Sequence, residues 1–341
     1  MMTRFWVGGY GTDMEGDADG IGLLAADAGP STLTYRGVAA AVESPSWLAQ
    51  HPSLDVVYAG LEGAGAVQAF ARSGESSLRP LGPPVAAGES VCHVAVSPDG
   101  RMLIASCYGD GRVIRYGIAD DGTLVPAAPD KAAALRAALF GVEHEDAETD
   151  AAAASDPYPT PTGALRLAAL AQEPARVSHA HEAVFLPDGR IATTDLGFDL
   201  VRIWRPSTGS GTGSMAIDHE VVLPRGTGPR HMVLHPSGHL HVVTEYSCEV
   251  FTLASARDGR WGLASATAAS PIAQVGVDFP AELAMSRDGQ TLYTALRGSN
   301  TISALRVKGS GEALEPFALA ESGVDWPRHH LVHEGVLLVA G

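Results

Sequence analysis

The sequence predicts an all-β fold, a seven-bladed β-propeller of four-stranded blades, from a recurring unit, its period and the turn inside it. Each unit has polar residues, a short apolar strand, a Pro-Asp-Gly-like turn and a second strand with a polar end. The six copies are WLAQHPSLDVVYAGLEG (47–63), CHVAVSPDGRMLIASCYGDG (92–111), HEAVFLPDGRIATTDLG (181–197), RHMVLHPSGHLHVVTEYS (230–247), AELAMSRDGQTLYTALRG (281–298) and RHHLVHEGVLLVAG (328–341). Asp-Gly turns and the lack of long helical periodicity disfavour the competing interpretation, helical repeats of similar length.

The turn glycines give the period of the repeat. Gly189 and Gly238 are 49 residues apart, Gly238 and Gly289 are 51 apart, and Gly289 and Gly335 are 46 apart. Gly100 and Gly189 are 89 apart, which corresponds to one unit plus an insertion. A further strand-like run follows each strand pair. Periods of about 40–50 residues with four strands each are typical of propeller blades.

The two ends of the chain bear on how the propeller closes. Residues 4–33 read as two strands of a blade whose inner strand does not precede them. We expect the C-terminus to supply that inner strand. The termini would then join the first and last blades. Six units plus this partial one give seven blades in a single domain, residues 1–341. The last unit stops after two strands, so we expect an incomplete last blade and a chain without its natural C-terminus. Residues 127–177 are predicted to be an inserted loop, either a lid over the site or a tolerated insertion.

Composition limits the possible partners and location. The chain has 341 residues, is 45% hydrophobic and has a formal net charge of −16. Such an acidic surface repels phosphate backbones and anionic lipid headgroups, so we expect neither nucleic-acid nor membrane partners. The sequence has no membrane-length apolar run, and its start, MMTRFWVGGYG, lacks the long apolar core expected of a signal peptide. The three cysteines lack metal-type spacing. These features predict a cytoplasmic protein with reduced thiols.

Polar residues recur where the first strand of each unit begins and the second ends. The innermost strand of each blade lines the central channel of a propeller, so equivalent positions of successive blades surround one axis. The aligned positions at the start of the inner strand are Cys92–His93, His181–Glu182, Arg230–His231, Ala281–Glu282 and Arg328–His329. Four second strands end at Tyr108, Asp195, Glu245 and Arg297. Any one of these could satisfy a turn, but together they predict a polar cluster at the channel mouth.

The residue types in this cluster favour an anion-binding enzyme site. The guanidinium of arginine matches a carboxylate or phosphate, and it stabilises the negative oxygen formed when a carbonyl is attacked. Histidine or glutamate nearby can act as general acid or base near neutral pH. The sequence contains no G-x-S-x-G, H-E-x-x-H or P-loop motif. We therefore expect a site that uses no metal and no cofactor.

The motifs SHAHEAVFLPDGRIATTDLGFDLVRIW, GTGPRHMVLHPSGHLHVVTEYS, LYTALRGSNTISALRV and WPRHHLV resemble those of the seven-bladed lactonase family. That family includes the propeller-type 6-phosphogluconolactonases and the fungal 3-carboxy-cis,cis-muconate lactonising enzyme. The resemblance implies a catalytic set of one histidine, two arginines and one glutamate. These fall at His181 (with His179 as the close alternative), Arg230, Arg297 and Glu245. The remaining mouth residues are then expected to bind substrate: His93, Tyr108, His179, Asp195, His231, Glu282, Arg328 and His329.

Three functions follow as hypotheses. The first is hydrolysis of a small anionic sugar-acid lactone such as 6-phosphogluconolactone, with the arginines on the phosphate or carboxylate and on the oxyanion, and Glu245 or His181 activating water. The second is a cycloisomerase (intramolecular lyase) that forms a lactone from a carboxylated cis,cis-muconate in the same site. The third is a propeller that serves only as a binding platform. The expected partner of either enzyme is a small anionic lactone or carboxylate, and the sequence does not indicate an oligomeric state.

Overall fold

The computed structural model describes residues 3–26, 32–126, 176–206 and 215–341. In these residues the regular structure consists of antiparallel strands, apart from one 3-10 turn at Thr12–Met14. The predicted all-β class is therefore confirmed. No helix of the described residues is long and apolar enough to cross a membrane. Most of the predicted insertion, residues 127–175, lies outside the described residues.

The strands form seven sheets, which we number 1 to 7 along the chain. Sheet 1 contains β1 (Thr3–Val7), β2 (Gly20–Ala26) and β3 (Leu33–Ala41). Sheet 2 contains β4 (Pro45–Gln50), β5 (Val56–Leu61), β6 (Ala66–Arg72), β7 (Leu78–Pro80) and β8 (Val85–Ala86), which pairs with β6. Sheet 3 contains β9 (Val91–Val96), β10 (Met102–Cys107), β11 (Val113–Ile118) and β12 (Leu124–Val125).

The later sheets repeat this order from strand to strand. Sheet 4 contains β13 (Ala180–Phe185), β14 (Ile191–Asp195), β15 (Leu200–Pro206) and β16 (Met215–Val222). Sheet 5 contains β17 (Pro229–Leu234), β18 (Leu240–Thr244), β19 (Glu249–Ser255) and β20 (Trp261–Ala268). Sheet 6 contains β21 (Phe279–Met285), β22 (Thr291–Arg297), β23 (Thr301–Lys308) and β24 (Ala313–Glu321), and sheet 7 contains β25 (His329–His333) and β26 (Val336–Ala340).

Successive sheets pack face to face, and apolar side chains fill the spaces between them. Five buried clusters lie between sheets 1 and 2, 2 and 3, 3 and 4, 4 and 5, and 5 and 6. The inner strands β4, β9, β13, β17, β21 and β25 are neighbours in this order. Sheets 7 and 1 also touch, because the ring of Phe5 lies edge-on to His333 with centroids 5.0 Å apart. This arrangement is a β-propeller.

The blade count and the closure by the termini stay predictions. Sheets 3 to 6 have the four strands of a blade and sheet 2 has one short strand more, whereas sheets 1 and 7 have three and two strands. In the part of the chain that is described, β1 pairs only with β2 and β26 only with β25. The two ends therefore do not share a sheet there.

The predicted Asp-Gly turns join the first and second strands of the sheets. In sheet 4, Gly189 has a φ of +84°, and Asp188 Oδ1 accepts a hydrogen bond of 3.0 Å from the Arg190 backbone N–H. In sheet 6, Gly289 has a φ of +72°, and Asp288 Oδ1 accepts the same bond from Gln290. Glycine adopts this left-handed backbone without strain, and the aspartate satisfies the next N–H, so the turn chemistry fixes where each second strand starts.

Buried histidines make the stability of the fold depend on pH. His241 on β18 is fully buried, and its Nδ1 lies 3.0 Å from Thr252 Oγ1. Burial, followed by the nearby His235 and His239, lowers the pKa of His241 to about 4. Burial also lowers the pKa of His330 to about 4. Such groups stay neutral in the folded protein at pH values where the unfolded chain binds protons.

We expect the free energy of unfolding to fall as the pH drops below about 6.5, the ordinary pKa of histidine. His241→Gln keeps a polar group beside Thr252 but does not titrate. The variant should therefore lose about 1 kcal/mol less stability than the wild type between about pH 7 and pH 5.5. Urea unfolding at the two pH values measures both losses. Equal losses in the two proteins would contradict the prediction.

Candidate active site

A cavity of about 390 Å³ opens where the inner strands begin and the second strands end. Eight of the twelve predicted site residues line it: Tyr108, His181, Arg230, His231, Glu245, Arg297, Arg328 and His329. The other four, His93, His179, Asp195 and Glu282, are not part of its wall. The structure thus brings together residues that lie up to about two hundred positions apart in the sequence, as the repeat alignment predicts.

A β-bulge near the start of the inner strands of sheets 2 to 6 changes which side chains face this cavity. In β17, Pro229 pairs with Thr244 and His231 pairs with Val243, so that Arg230 has no partner of its own. Similar register shifts occur between β4 and β5, β9 and β10, β13 and β14, and β21 and β22. A bulge re-aims side chains that would otherwise alternate between the two faces of a strand. As a result, both Arg230 and His231 line the cavity.

Two arginines share one carboxylate at the centre of the site. Arg230 Nε lies 3.2 Å and Arg297 Nη2 lies 2.7 Å from the same oxygen, Glu245 Oε2. Both arginines are buried, and burial together with Arg297 lowers the pKa of Arg230 to about 10. Arg297 also donates to the carbonyl of Phe279 at 2.9 Å. The trio carries a net positive charge, and Arg230 Nη1 has no hydrogen-bond partner in the described residues, so it can donate to a ligand.

Of the two candidate histidines, His181 lies on the cavity wall and His179 does not. Burial, followed by the charge of Arg230, holds the pKa of His181 well below its usual value. Its Nδ1 is buried and has no hydrogen-bond partner among the described residues. His179 instead stacks on Tyr108 with ring centroids 4.3 Å apart, and its Nδ1 lies 2.6 Å from the carbonyl of Tyr108. At neutral pH the imidazole is therefore uncharged, and its unused nitrogen is available for a hydrogen bond.

A second set of six side chains lies next to these groups. Each member is the residue directly after the unpaired bulge residue of its inner strand or, in sheet 7, the residue directly after Arg328. We call it the second tier: Trp47, His93, Glu182, His231, Glu282 and His329. The ring centroid of Trp47 lies 4.5 Å from that of His93 and 4.8 Å from that of His329. Glu282 Oε2 lies 3.0 Å from His231 Nδ1 and 3.4 Å from His329 Nε2. Three members of the second tier, Trp47, His231 and His329, line the cavity, and Glu282 contacts two of these three.

The pKa values of the two glutamates of the second tier are shifted in opposite directions. Burial favours a neutral Glu282, but His231, His329 and His330 outweigh it and hold the pKa of Glu282 well below its usual value. Burial and the nearby Glu282 raise the pKa of Glu182 well above its usual value, although the carboxyl accepts the backbone N–H of Met232. One carboxylate therefore remains ionised under the site. In the described residues no group of three or more His, Cys, Asp or Glu is arranged to hold a metal ion.

Sequence reasoning missed several residues of the wall, among them Tyr10, Trp47 and Glu62. Glu62 follows β5 as Glu245 follows β18: the Glu62 N–H donates to Ser44 O at 3.1 Å, and the Glu245 N–H donates to Gly228 O at 2.8 Å. The first repeat copy ends in LEG, so the alignment that selects Glu245 could also have selected Glu62. Tyr10 precedes the repeats, and no repeat signal marks it.

Asp195 lies outside the cavity because the register at the end of β14 differs by one residue from the sequence alignment. Asp195 pairs with Ala180 as Thr244 pairs with Pro229, so the equivalent of Glu245 in sheet 4 is Leu196. Asp195 is fully buried and accepts hydrogen bonds from the His179 and Phe198 backbone N–H groups, the Ser178 hydroxyl and the Arg202 guanidinium. These contacts hold the loop before β13 and leave no acceptor for a substrate.

The site's third arginine, Arg328, lies at the edge of the cavity and is exposed. Its guanidinium lies over the ring of Tyr10, 5.3 Å from the centroid. In the described part of the chain, no carboxylate lies within ion-pair distance of it. Three guanidiniums thus face a cavity whose wall contains two carboxyl groups, Glu62 and Glu245, and the cavity is locally basic in an acidic protein.

Comparisons with known proteins cover the full chain. The model of a family described as lactonase, 7-bladed beta-propeller, matches residues 4–341. A 6-phosphogluconolactonase of Bacillus subtilis is 26% identical over 341 residues, which cover 96% of this chain and 84% of that protein. An uncharacterised protein of Lactococcus lactis, YwcC, is 25% identical over 332 residues, or 96% of this chain and 85% of that protein.

Solved structures share the fold. A crystal structure from Lactobacillus plantarum superimposes with a TM-score of 0.76 at 24% identity, covering 98% of this chain and 86% of that one. The periplasmic gluconolactonase PpgL of Pseudomonas aeruginosa gives a TM-score of 0.76 at 21% identity, covering all of this chain and 89% of that one. With the propeller, the arginine-lined cavity and a family match over residues 4–341, the chain belongs to the seven-bladed β-propeller lactonase family.

Proposed function

We propose that the protein hydrolyses a small anionic sugar-acid lactone, with 6-phosphogluconolactone as the best candidate. The observation that carries the proposal is the pair of buried guanidiniums of Arg230 and Arg297 on one carboxylate, beside the neutral imidazole of His181 in a cavity of about 390 Å³. The Bacillus subtilis relative named 6-phosphogluconolactonase supports this substrate.

The three arginines divide into a reaction centre and an anion-binding edge. Arg230 and Arg297 are fixed by Glu245, so their unused N–H groups can meet the carbonyl oxygen of the lactone as it becomes an oxyanion. Arg328 is exposed and has no carboxylate partner in the described residues, so it can bind the phosphate or carboxylate of the substrate. In this arrangement the lactone ring lies between Arg328 at the cavity edge and the group formed by Arg230, Glu245 and Arg297.

Hydrolysis then needs a base, and His181 fits this role better than Glu245. Both guanidiniums already bind Glu245 Oε2, whereas His181 Nδ1 has no partner in the described residues. In the proposed reaction the oxygen of a water molecule bonds to the carbonyl carbon while His181 accepts one of its protons. The bond between that carbon and the ring oxygen then breaks, the ring oxygen takes up a proton as His181 releases one, and the product is an open hydroxy acid.

The cycloisomerase and the binding platform remain the alternatives. A cycloisomerase would use the same arginines to hold the carboxylates of a muconate, since both reactions pass between an open carboxylate and a lactone. A platform would need none of the buried charges. Activity measurements separate the three.

The first test is hydrolysis of freshly generated 6-phosphogluconolactone, with the spontaneous rate subtracted. We expect the wild type to accelerate ring opening and Arg230→Ala to lower kcat by about 100-fold or more, because the oxyanion loses a donor. Arg328→Ala should act mainly through KM. Arg306→Ala, at an exposed arginine of β23 that lies over Phe317, is the matched control and should behave as the wild type.

A wild-type rate equal to the spontaneous rate would overturn the sugar-phosphate proposal. The same variants would then be tested for lactonisation of 3-carboxy-cis,cis-muconate. Activity there that depends on Arg230 would identify the cycloisomerase. No activity in either assay would favour the platform.

The shared carboxylate gives a second prediction, about stability. Glu245→Gln leaves two buried guanidiniums without their anion, so we expect a loss of about 3–5 kcal/mol in the free energy of unfolding. Inorganic phosphate should raise the melting temperature of this variant more than that of the wild type, because it replaces the missing charge. Differential scanning calorimetry with and without phosphate measures both effects.

The control for this prediction is Glu315→Gln, which removes an exposed partner of Lys308 at 2.8 Å. An exposed ion pair contributes about 0–1 kcal/mol, so this variant should stay close to the wild type. If Glu245→Gln is as stable as Glu315→Gln, the two arginines do not depend on Glu245.

A further inference from the structure

The repeat places a second carboxyl group, that of Glu62, in the cavity wall. Glu62 occupies in sheet 2 the position that Glu245 occupies in sheet 5, directly after the second strand. Both residues line the cavity. They differ in their neighbours, which decide the chemistry of each carboxyl group.

No guanidinium of the described residues lies within ion-pair distance of Glu62, in contrast to Glu245 with its two arginines. Its Oε1 instead lies 3.5 Å from the Tyr10 hydroxyl, and the Ser46 hydroxyl is nearby. The ionisable groups that interact with Glu62 are Tyr10, Cys92, Arg230 and Arg328. Burial outweighs the hydroxyls and the more distant arginines, and it raises the pKa of Glu62.

Opening of an aliphatic lactone needs a proton as well as a base. The leaving ring oxygen would depart as an alkoxide, which is far more basic than water at neutral pH, so a donor at that oxygen lowers the barrier. Both guanidiniums contact Glu245, which leaves Glu62 as the carboxyl side chain of the wall without an ion-pair partner in the described residues. Titratable groups whose surroundings shift their pKa values away from the usual range are a recurring arrangement for paired acid and base chemistry, and Glu62 and His181 are such groups.

We propose that Glu62 is a further catalytic residue, the general acid that protonates the leaving ring oxygen as the lactone opens. This inference rests on the proposed lactonase function. The new bond joins the oxygen of water to the carbonyl carbon, and His181 accepts the proton of that water. The bond between the carbonyl carbon and the ring oxygen breaks, and the Glu62 proton passes to that oxygen. Solvent then takes the proton from His181 and returns one to Glu62, so that the cycle closes without a further reactant.

The first measurement is independent of activity. The pH dependence of the infrared carbonyl band of protonated carboxylic acids is recorded for the wild type and for Glu62→Gln, which keeps the shape of the side chain. The difference between the two proteins isolates Glu62 from Glu182, the other buried carboxyl group with a raised pKa. We expect the wild type to show additional intensity in the protonated-carboxyl band. This additional intensity should disappear as the pH rises, and Glu62→Gln should lack it. Identical band intensities in the two proteins across the pH range would overturn the proposal.

The second measurement is the pH profile of kcat for 6-phosphogluconolactone. The acid must be protonated, so the wild-type rate should fall as the pH rises through the pKa of Glu62. Glu62→Gln should lose about 100-fold or more in kcat, and its remaining rate should show no such fall. Glu62→Asp should restore part of the rate together with a basic limb. Tyr10→Phe removes a neighbour but keeps the carboxyl group, so it is the matched control and should retain the limb.

The outcomes distinguish the two proposals. A wild type that accelerates hydrolysis, with Glu62→Gln within about three-fold of it and an unchanged basic limb, would overturn the role of Glu62 and leave the lactonase function intact. A wild type with no acceleration would overturn the lactonase function and, with it, the catalytic role of Glu62, whatever the infrared result.

Discussion

The bulge near the start of the inner strands of sheets 2 to 6 is the constraint on which the cavity depends. In a regular strand, Arg230 and His231 would point to opposite faces, and only one of them could reach the channel. Because two residues of β17 oppose one residue of β18, both line the cavity. The same shift recurs in the inner strands of sheets 2 to 6, and in β4 it likewise brings two consecutive residues, Ser46 and Trp47, to the cavity wall.

Because the repeat gives several ionisable groups equivalent positions, the chemistry of each group depends on the residues that surround it and not on its position in the repeat. Glu62 and Glu245 occupy the same repeat position, yet one contacts hydroxyl groups and the other contacts two guanidiniums. In the second tier, Glu182 accepts a backbone N–H while Glu282 lies between two imidazoles. Glu182 and Glu282 are buried, and Glu62 and Glu245 are partly buried. A carboxyl group that loses water stays charged only where a cation or a hydrogen-bond donor replaces that water.

The sequence alone predicts the propeller because the Asp-Gly turns and the strand alternation are local signals that recur. It also identifies Arg230, Glu245 and Arg297 as neighbours, since equal repeat positions meet at the channel. It cannot give the register at the ends of the strands, where a shift of one residue turns a side chain to the other face. Asp195 illustrates this: it aligns with Glu245 by eye but pairs as Thr244 does. Trp47 was missed because a search for ionisable groups passes over an indole.

The acidic charge of the whole protein and the basic charge of the site act over different distances. A net charge of −16 repels an anionic substrate from afar, but at physiological salt this field is screened over roughly 8 Å. Inside the cavity, fewer ions and less water screen the guanidiniums, so Arg230 and Arg297 act on a bound anion at full strength. The ion pairs with Glu245 reduce the free-energy cost of burying two positive charges side by side. One carboxylate balances only one of the two guanidiniums. The one positive charge left over is what a developing oxyanion would meet, and it is held in place before the substrate arrives.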